Sequence, residues 1–190
     1  MTLPNAITLA RLLAVPLAVW LIVRGWYEAA LWLFLLAGLS DAVDGWLARR
    51  LGQVSRLGSL LDPVADKALL VSVFISLGVR DLLPAWLVIL VVFRDALIVS
   101  GWLLGQMLMP SAQPVRPHWT SKLNTCVQLA FAAGVLAMLA WQFHIPVALE
   151  AACAVVAVTT AVSGGVYVVI WMRGMMRLER GGGAACYRQT

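Results

Sequence analysis

Charged side chains are scarce in this chain of 190 residues, because Asp, Glu, Lys and Arg together make up only 12% of it. Soluble domains carry about 25% charged and about 45–50% apolar residues, whereas 62% of this sequence is hydrophobic. The shortage of charge excludes a water-soluble globular domain and a disordered chain, both of which need a more polar composition. We therefore expect a membrane protein with no nucleic-acid partner, in spite of a pI near 9.6.

The sequence is also poor in cysteine, and its N-terminus lacks the pattern of a cleaved targeting segment. Cys126, Cys153 and Cys186 have neither the spacing of a disulfide framework nor that of a metal site. The N-terminus lacks a basic leader and has Arg11 inside its apolar run, which predicts a retained first span rather than a signal or transit peptide. We expect a bacterial inner membrane as the location for the same reason.

Six apolar runs predict an all-α, polytopic membrane protein. The predicted spans are 4–24, 28–50, 58–79, 82–108, 119–141 and 146–172. A cytoplasmic N-terminus places nine cations inside and only Arg24 and Arg80 outside, which predicts that both termini are cytoplasmic. We expect a membrane domain over 1–173 and a flexible basic cytoplasmic tail over 174–190. Gly101 and Gly105 predict close helix packing, within the protomer or across a dimer.

Four of the nine carboxylates fall within one stretch of 26 residues, at Asp41, Asp44, Asp62 and Asp66. Each pair has helical spacing, and the short connection between the second and third spans brings both pairs to the cytoplasmic side. Ionised carboxylates at membrane depth repel one another and are costly unless a positive group lies between them. Hard oxygen ligands without His or Cys favour two Mg²⁺ or Mn²⁺ ions. The alternative is structural pairing with nearby basic residues such as Lys67.

Small residues accompany these carboxylates at Gly45, Ala48 and Gly58. Their short side chains leave room for a ligand against the helix backbones, and the planar fork of Arg49 can reach phosphate oxygens. The stretch 41–66 fits the pattern D-x2-D-G-x2-A-R-x8-G-x3-D-x3-D at all eight fixed positions.

This signature resembles that of the CDP-alcohol phosphatidyltransferase family, whose members are six-helix membrane enzymes and commonly dimers. The resemblance implies a CDP-diacylglycerol donor whose diphosphate is held by two divalent ions on the four aspartates. It implies that Asp66 is the general base on the acceptor hydroxyl. It also implies that Gly45, Ala48, Arg49 and Gly58 seat the cytidine diphosphate.

The opening of the chain resembles the phosphatidylglycerophosphate synthase and cardiolipin synthase branch of that family. Asn5, Thr8 and Arg11 recur there at helical spacing, which implies that Asn5 and Thr8 line the donor site and that Arg11 contacts the acceptor or a phosphate. The alternatives are helix capping by Asn5 and snorkelling of Arg11 to the membrane surface.

Two further segments bear on the acceptor alcohol. Arg94-Asp95 and the pattern Ser-Lys-x-Asn-Thr-x-x-Gln over Ser121–Gln128 look closer to CMP-forming cardiolipin synthases than to phosphatidylglycerophosphate synthases, which usually have a second lysine where Asn124 stands. We therefore expect phosphatidylglycerol as acceptor, with glycerol 3-phosphate as the alternative. The expected acceptor or phosphate contacts are Arg11, Lys67, Arg94, Lys122 and Asn124. The competing interpretation is that Arg94 with Asp95, and Lys122, form structural ion pairs. The competing function is an ion or metal transporter.

Overall fold

A computed structural model describes the backbone of residues 3–51, 56–108, 119–143 and 145–186. It describes the side chains of residues 10–40, 67–101, 119–143, 145–170 and 172. Within these ranges the chain forms six α-helices and no strand, which confirms the all-α prediction. They are α1 (Leu3–Val23), α2 (Tyr27–Leu51), α3 (Arg56–Val79), α4 (Ala85–Leu108), α5 (Trp119–Ala140) and α6 (Pro146–Cys186).

Most helix bounds lie within a few residues of the predicted spans, but α6 differs. It continues through Cys186, well past the predicted end of the sixth span at residue 172. The division into a membrane domain and a tail at residue 174 stays a prediction.

The helices pack as a ring. Neighbours around it are α1, α2, α5, α6, α4 and α3, with α3 returning to α1, and α3 also reaches across to α5 and α2. The apolar core follows from this arrangement: Phe74 of α3 and Phe131 of α5 stack with their ring centroids 5.9 Å apart. Leu70 and Leu77 on the same face of α3 are fully buried beside them.

Left-handed caps end three helices at one end of the bundle, which we call the turn end. Gly25, Asp81 and Gln142 have φ values of 77°, 57° and 55° and follow α1, α3 and α5. The next amide in each turn donates back five residues, as from Trp26 to the carbonyl of Leu21 at 2.9 Å. This Schellman geometry satisfies carbonyl groups that the helix itself leaves unpaired. The opposite end, where α2 ends and α3 begins, is called the carboxylate end.

Gly101 of α4 lies against Tyr167 of α6. A Cβ atom at this position would overlap the Tyr167 hydroxyl and lie 2.9 Å from its Cζ atom. The predicted close packing at Gly101 is therefore confirmed inside the protomer, between α4 and α6.

The bundle is apolar on its outside and partly polar within. Leu13, Val79, Ile89 and Val158 are each more than 60% exposed, whereas Arg94 is only 2% exposed. A bilayer accounts for this distribution, because water would favour the reverse. Among the described residues, α5 and the part of α6 from Pro146 to Ile170 are long and apolar enough to cross a membrane. That all six helices cross, and with which orientation, stays a prediction.

Candidate active site

Helices α1, α2 and α3 carry the residues expected to bind metal and donor. Residues Asp41, Asp44, Gly45, Ala48 and Arg49 lie on α2, Gly58, Asp62 and Asp66 lie on α3, and Asn5 and Thr8 lie on α1. The helical backbone that the spacing argument requires is therefore present, and α2 contacts α3. The side chains of these ten residues lie outside the described residues, so their predicted roles stay predictions.

Directly after Asp66, the structure places an ionic cluster made of Lys67, Arg94 and Asp95. One carboxylate oxygen of Asp95, Oδ1, accepts hydrogen bonds from Lys67 Nζ at 2.9 Å and from Arg94 Nη1 at 2.6 Å. The side chains of Arg94 and Asp95 are each 2% exposed, and that of Lys67 is 20% exposed. Burial on this scale removes most water from the charges, so each needs a partner within the protein.

Arg94 ties the cluster to the last two helices. Its Nη2 atom donates to Ser121 Oγ of α5 at 2.9 Å and to Ser163 Oγ of α6 at 2.6 Å. A Cβ atom at Gly164 would lie 3.6 Å from Arg94 Cγ, so the side chain runs close to the α6 backbone. Arg94 therefore joins three helices, which favours the structural interpretation of this arginine over direct contact with an acceptor.

Lys67 is the more accessible cation of the cluster. Besides Asp95, its Nζ atom donates to Thr125 Oγ1 of α5 at 3.3 Å. It follows Asp66 directly on α3. Contact of Lys67 with an acceptor phosphate stays a prediction.

A second polar group, the amide pair Asn124 and Gln128, lies one turn further along α5. The Thr160 hydroxyl of α6 accepts from Gln128 Nε2 at 3.2 Å and donates to Asn124 Oδ1 at 3.1 Å. Asn124 is 1% exposed, and its Nδ2 atom has no hydrogen-bond partner among the described residues. The structure thus assigns Asn124 a contact between α5 and α6, while acceptor contact by its remaining amide hydrogens stays a prediction.

The two remaining predicted contact residues differ in burial. Arg11 of α1 is 6% exposed, so its side chain lies inside the bundle, and this burial argues against snorkelling to the surface. Lys122 of α5 is exposed and makes no ion pair within the described part of the chain, which disfavours the structural ion pair considered for it.

Six polar side chains of this region were not among the expected site residues, although four of them lie in the two segments linked above to the acceptor. They are Asp95, Ser121, Thr125, Gln128, Thr160 and Ser163. A signal for three of these positions was available, because Ser121, Thr125 and Gln128, together with Asn124, repeat at offsets of three, four and seven on a mostly apolar helix. That period predicts one polar stripe facing the bundle interior. Ser163 gave no such signal, because its partner, Arg94, is 69 residues away in the chain.

Comparison with known families fits this arrangement. Residues 1–176 match the family model of the CDP-alcohol phosphatidyltransferases. The chain belongs to this family, whose members are in general dependent on divalent metal.

Individual relatives carry names from two related activities. The chain is 35% identical over 184 residues to the Drosophila melanogaster "Probable cardiolipin synthase (CMP-forming)", covering 89% of this chain and 57% of that protein. It is 33% identical over 181 residues to the Rattus norvegicus "Cardiolipin synthase (CMP-forming)", covering 87% and 60%. A rice (Oryza sativa subsp. japonica) protein, "CDP-diacylglycerol--glycerol-3-phosphate 3-phosphatidyltransferase 1, chloroplastic", is 38% identical over 152 residues, covering 72% and 46%. The chain therefore spans 46–60% of the length of these relatives.

Proposed function

We propose that this protein is a membrane enzyme of phospholipid synthesis that transfers a phosphatidyl group from CDP-diacylglycerol to the hydroxyl of a glycerol-type acceptor. CMP is the second product. The observation that carries the proposal is the complete eight-position signature on two contacting helices, in a chain matched to the family over residues 1–176.

The residues of the signature divide the chemistry between them. Asp66 takes the proton of the acceptor hydroxyl, since an alcohol is a poor nucleophile at neutral pH. The acceptor oxygen forms a bond to the phosphatidyl phosphorus as the bond from that phosphorus to the oxygen of CMP breaks. Arg49 and the backbones at Gly45 and Gly58 hold the diphosphate and the departing CMP.

The donor set fits two divalent ions. Asp41 and Asp44 on α2, with Asp62 and Asp66 on α3, offer only hard oxygen ligands, which suit Mg²⁺ or Mn²⁺. Bound ions supply positive charge to the diphosphate oxygens of the donor. Among the described residues no group of three metal-ligating side chains occurs elsewhere, which supports the signature as the metal site.

Phosphatidylglycerol is the proposed acceptor, which makes the chain a CMP-forming cardiolipin synthase. Two of the three relatives carry that name over 87–89% of this chain. Glycerol 3-phosphate is the second candidate, because the rice relative carries the corresponding name at 38% identity.

The proposed orientation in the membrane follows from the lipid donor. The acyl chains of the donor stay in the bilayer while its nucleotide faces the cytoplasm, so the carboxylate end is proposed to be cytoplasmic, with both termini on that side. A bacterial inner membrane and a homodimer complete the proposal.

The direct test measures CMP release by purified protein in mixed micelles with CDP-diacylglycerol and Mg²⁺ or Mn²⁺. Phosphatidylglycerol and glycerol 3-phosphate are supplied in separate reactions, and a reaction without acceptor sets the background. Release that depends on an acceptor supports the enzyme. An absence of release with both acceptors and both metals contradicts it.

Matched aspartate variants locate the chemistry. Asp66→Asn should abolish CMP release and leave the protein folded, because it removes the base with little change in shape. Asp81→Asn is the control: Asp81 is exposed at the turn end, and Asn tolerates its left-handed φ of 57°. Equal activity of the two variants would contradict the role of Asp66.

A further inference from the structure

Two arginines lie at the edge of the exposed apolar surface at the turn end. Arg24 follows Val23, the last residue of α1, and Arg80 follows Val79, the last residue of α3. Both valines and both arginines are exposed. Because α1 and α3 pack against each other and both end at the turn end, the outer surface changes from apolar to cationic at the same end of two neighbouring helices.

Aromatic side chains hold the two guanidinium groups. Arg24 Cζ lies 5.6 Å from the ring centroid of Trp20, within the range of a cation–π contact. Trp20 packs edge-on against Trp26, with ring centroids 5.3 Å apart. Arg80 Nη2 donates to the hydroxyl of Tyr27, the next residue along the chain, at 3.4 Å. The turn between α1 and α2 therefore joins both arginines in one surface, which we call the arginine–aromatic surface.

Carboxylates do not neutralise this surface. Glu28 and Asp81 are exposed at the same end, but neither forms an ion pair with Arg24 or Arg80 in the part of the chain that the structure describes. A guanidinium group has five N–H donors, of which Tyr27 accepts one from Arg80. Both arginines thus keep positive charge and donors available to an anionic ligand.

A lipid phosphate fits the arginine–aromatic surface by position and by charge. Exposed apolar side chains face the hydrocarbon of a bilayer, and the headgroup layer begins where the hydrocarbon ends. Tryptophan and tyrosine favour this level because their rings are apolar and carry one polar group. The planar fork of an arginine matches phosphate oxygens. The position suits any phospholipid, whereas the positive charge selects one with net negative charge.

We propose that Arg24 and Arg80, with Trp20, Trp26 and Tyr27, bind the phosphate of an anionic phospholipid at the turn end. The inference goes beyond the proposed function, because this surface lies at the end of the bundle opposite the carboxylate end and takes part in no transfer step. It uses the proposed membrane crossing of α1 and α3 but not the proposed chemistry. The competing explanation is that each arginine only stabilises the C-terminus of its own helix through the helix dipole.

Photocrosslinking in lipid nanodiscs tests the proposal. Phosphatidic acid and phosphatidylcholine, each with a diazirine group on the acyl chain near the glycerol, are supplied in separate nanodiscs of otherwise neutral lipid. Phosphatidic acid is the anionic probe because it has no alcohol headgroup and cannot replace the acceptor. The measured quantity is the label on the peptide that contains the turn between α1 and α2, expressed as the ratio of phosphatidic acid to phosphatidylcholine.

The wild-type ratio should be about 25, because each arginine near the membrane surface contributes about five-fold to the binding of anionic lipid. Arg24→Gln and Arg80→Gln should each lower the ratio about five-fold, and the double glutamine variant should bring it to roughly one. Replacing both arginines by lysine is the matched control. That variant should keep most of the preference, because it keeps both charges.

A second variant leaves every charge in place. Trp20→Leu should lower the ratio about two- to five-fold, because it removes the ring that holds Arg24. Trp119→Leu is its control and should leave the ratio unchanged, since Trp119 is an exposed tryptophan at the start of α5, at the carboxylate end.

The outcomes decide between the lipid site and the helix-dipole explanation. A wild-type ratio near one, or a ratio that the double glutamine variant leaves unchanged, would overturn the lipid site. A ratio that falls as far in the double lysine variant as in the double glutamine variant would overturn it as well, because charge would then not select the lipid.

CMP release in mixed micelles separates this inference from the proposed function. The double glutamine variant should release CMP at the wild-type rate, because both arginines lie at the turn end. A wild-type protein that releases no CMP but shows the expected ratio would contradict the enzyme and support the lipid site.

Discussion

The ionic cluster predicts an unusual order of stability among its variants. Arg94 makes three hydrogen bonds in the cluster and has the larger side chain, so a count of contacts predicts that its loss is the most harmful. The balance of charge predicts instead that the loss of Asp95 is the most harmful. Removing Asp95 leaves the buried Arg94 guanidinium without its carboxylate partner, whereas removing Arg94 leaves Asp95 paired with Lys67.

The magnitudes favour the charge argument. Removing one partner of a buried ion pair costs about 3–5 kcal/mol, and we expect a loss of this size for Asp95→Asn. Arg94→Met loses two serine contacts and the bond to Asp95. Such contacts are worth about 0.6 kcal/mol each in membrane bundles, and the Lys67–Asp95 pair is kept. We therefore expect a loss of about 1–2 kcal/mol for Arg94→Met. At about 2–4 °C per kcal/mol for a chain of this size, the two midpoints should differ by roughly 5–10 °C.

The assay is thermal unfolding in detergent micelles, followed by circular dichroism. Adding Lys67→Gln to Asp95→Asn removes the other cation of the cluster beside the unpaired Arg94, so the double variant should melt above Asp95→Asn alone. The reasoning is refuted if Arg94→Met melts below Asp95→Asn, or if the added Lys67→Gln lowers the midpoint further. Either result would mean that individual contacts outweigh charge balance in this interior.

Three other predictions concern packing, the amide pair and the metal. Gly101→Ala should destabilise the protein by about 1–3 kcal/mol because the new methyl group overlaps Tyr167. Tyr167→Leu should rescue much of that loss, and Gly134→Ala, which meets nothing within 4 Å, should not destabilise the protein. Thr160→Val should cost about 1 kcal/mol by breaking the bridge between the amides, whereas Thr159→Val, which loses only contacts within its own helix, should cost less. Chelation of divalent ions should abolish CMP release, and added Mg²⁺ or Mn²⁺ should restore it, whereas activity that persists under chelation would contradict the metal site.

The helices were predictable from sequence because their signal is local. Long apolar runs and the punctuation around Gly25 and Pro84 determine where each helix begins and ends. The end of α6 was not predictable in this way. The predicted end was set by the thickness of a membrane, whereas the helix continues past the length that a membrane requires. The order of helices around the ring was not predictable either, since it depends on contacts between segments far apart in the chain.

The candidate site also has a part that the sequence predicts and a part that it does not. The eight-position signature is a local pattern, so its residues and their helical spacing are legible in the sequence. The ionic cluster is not local, because Lys67 and Asp95 are 28 residues apart and Arg94 and Ser163 are 69 apart. Sequence identifies Arg94-Asp95 as charges at membrane depth, but only the packing of four helices shows that they pair with each other and with Lys67.

The central claim is that Asp66 and its neighbours transfer a phosphatidyl group to a glycerol-type acceptor. Its most direct test is mass-spectrometric identification of the lipid made from labelled CDP-diacylglycerol when phosphatidylglycerol and glycerol 3-phosphate compete in one reaction. We predict labelled cardiolipin in an amount equal to the CMP released, and none from Asp66→Asn. Labelled phosphatidylglycerophosphate would correct the acceptor, while no labelled product, or an equal yield from Asp66→Asn, would contradict the claim itself.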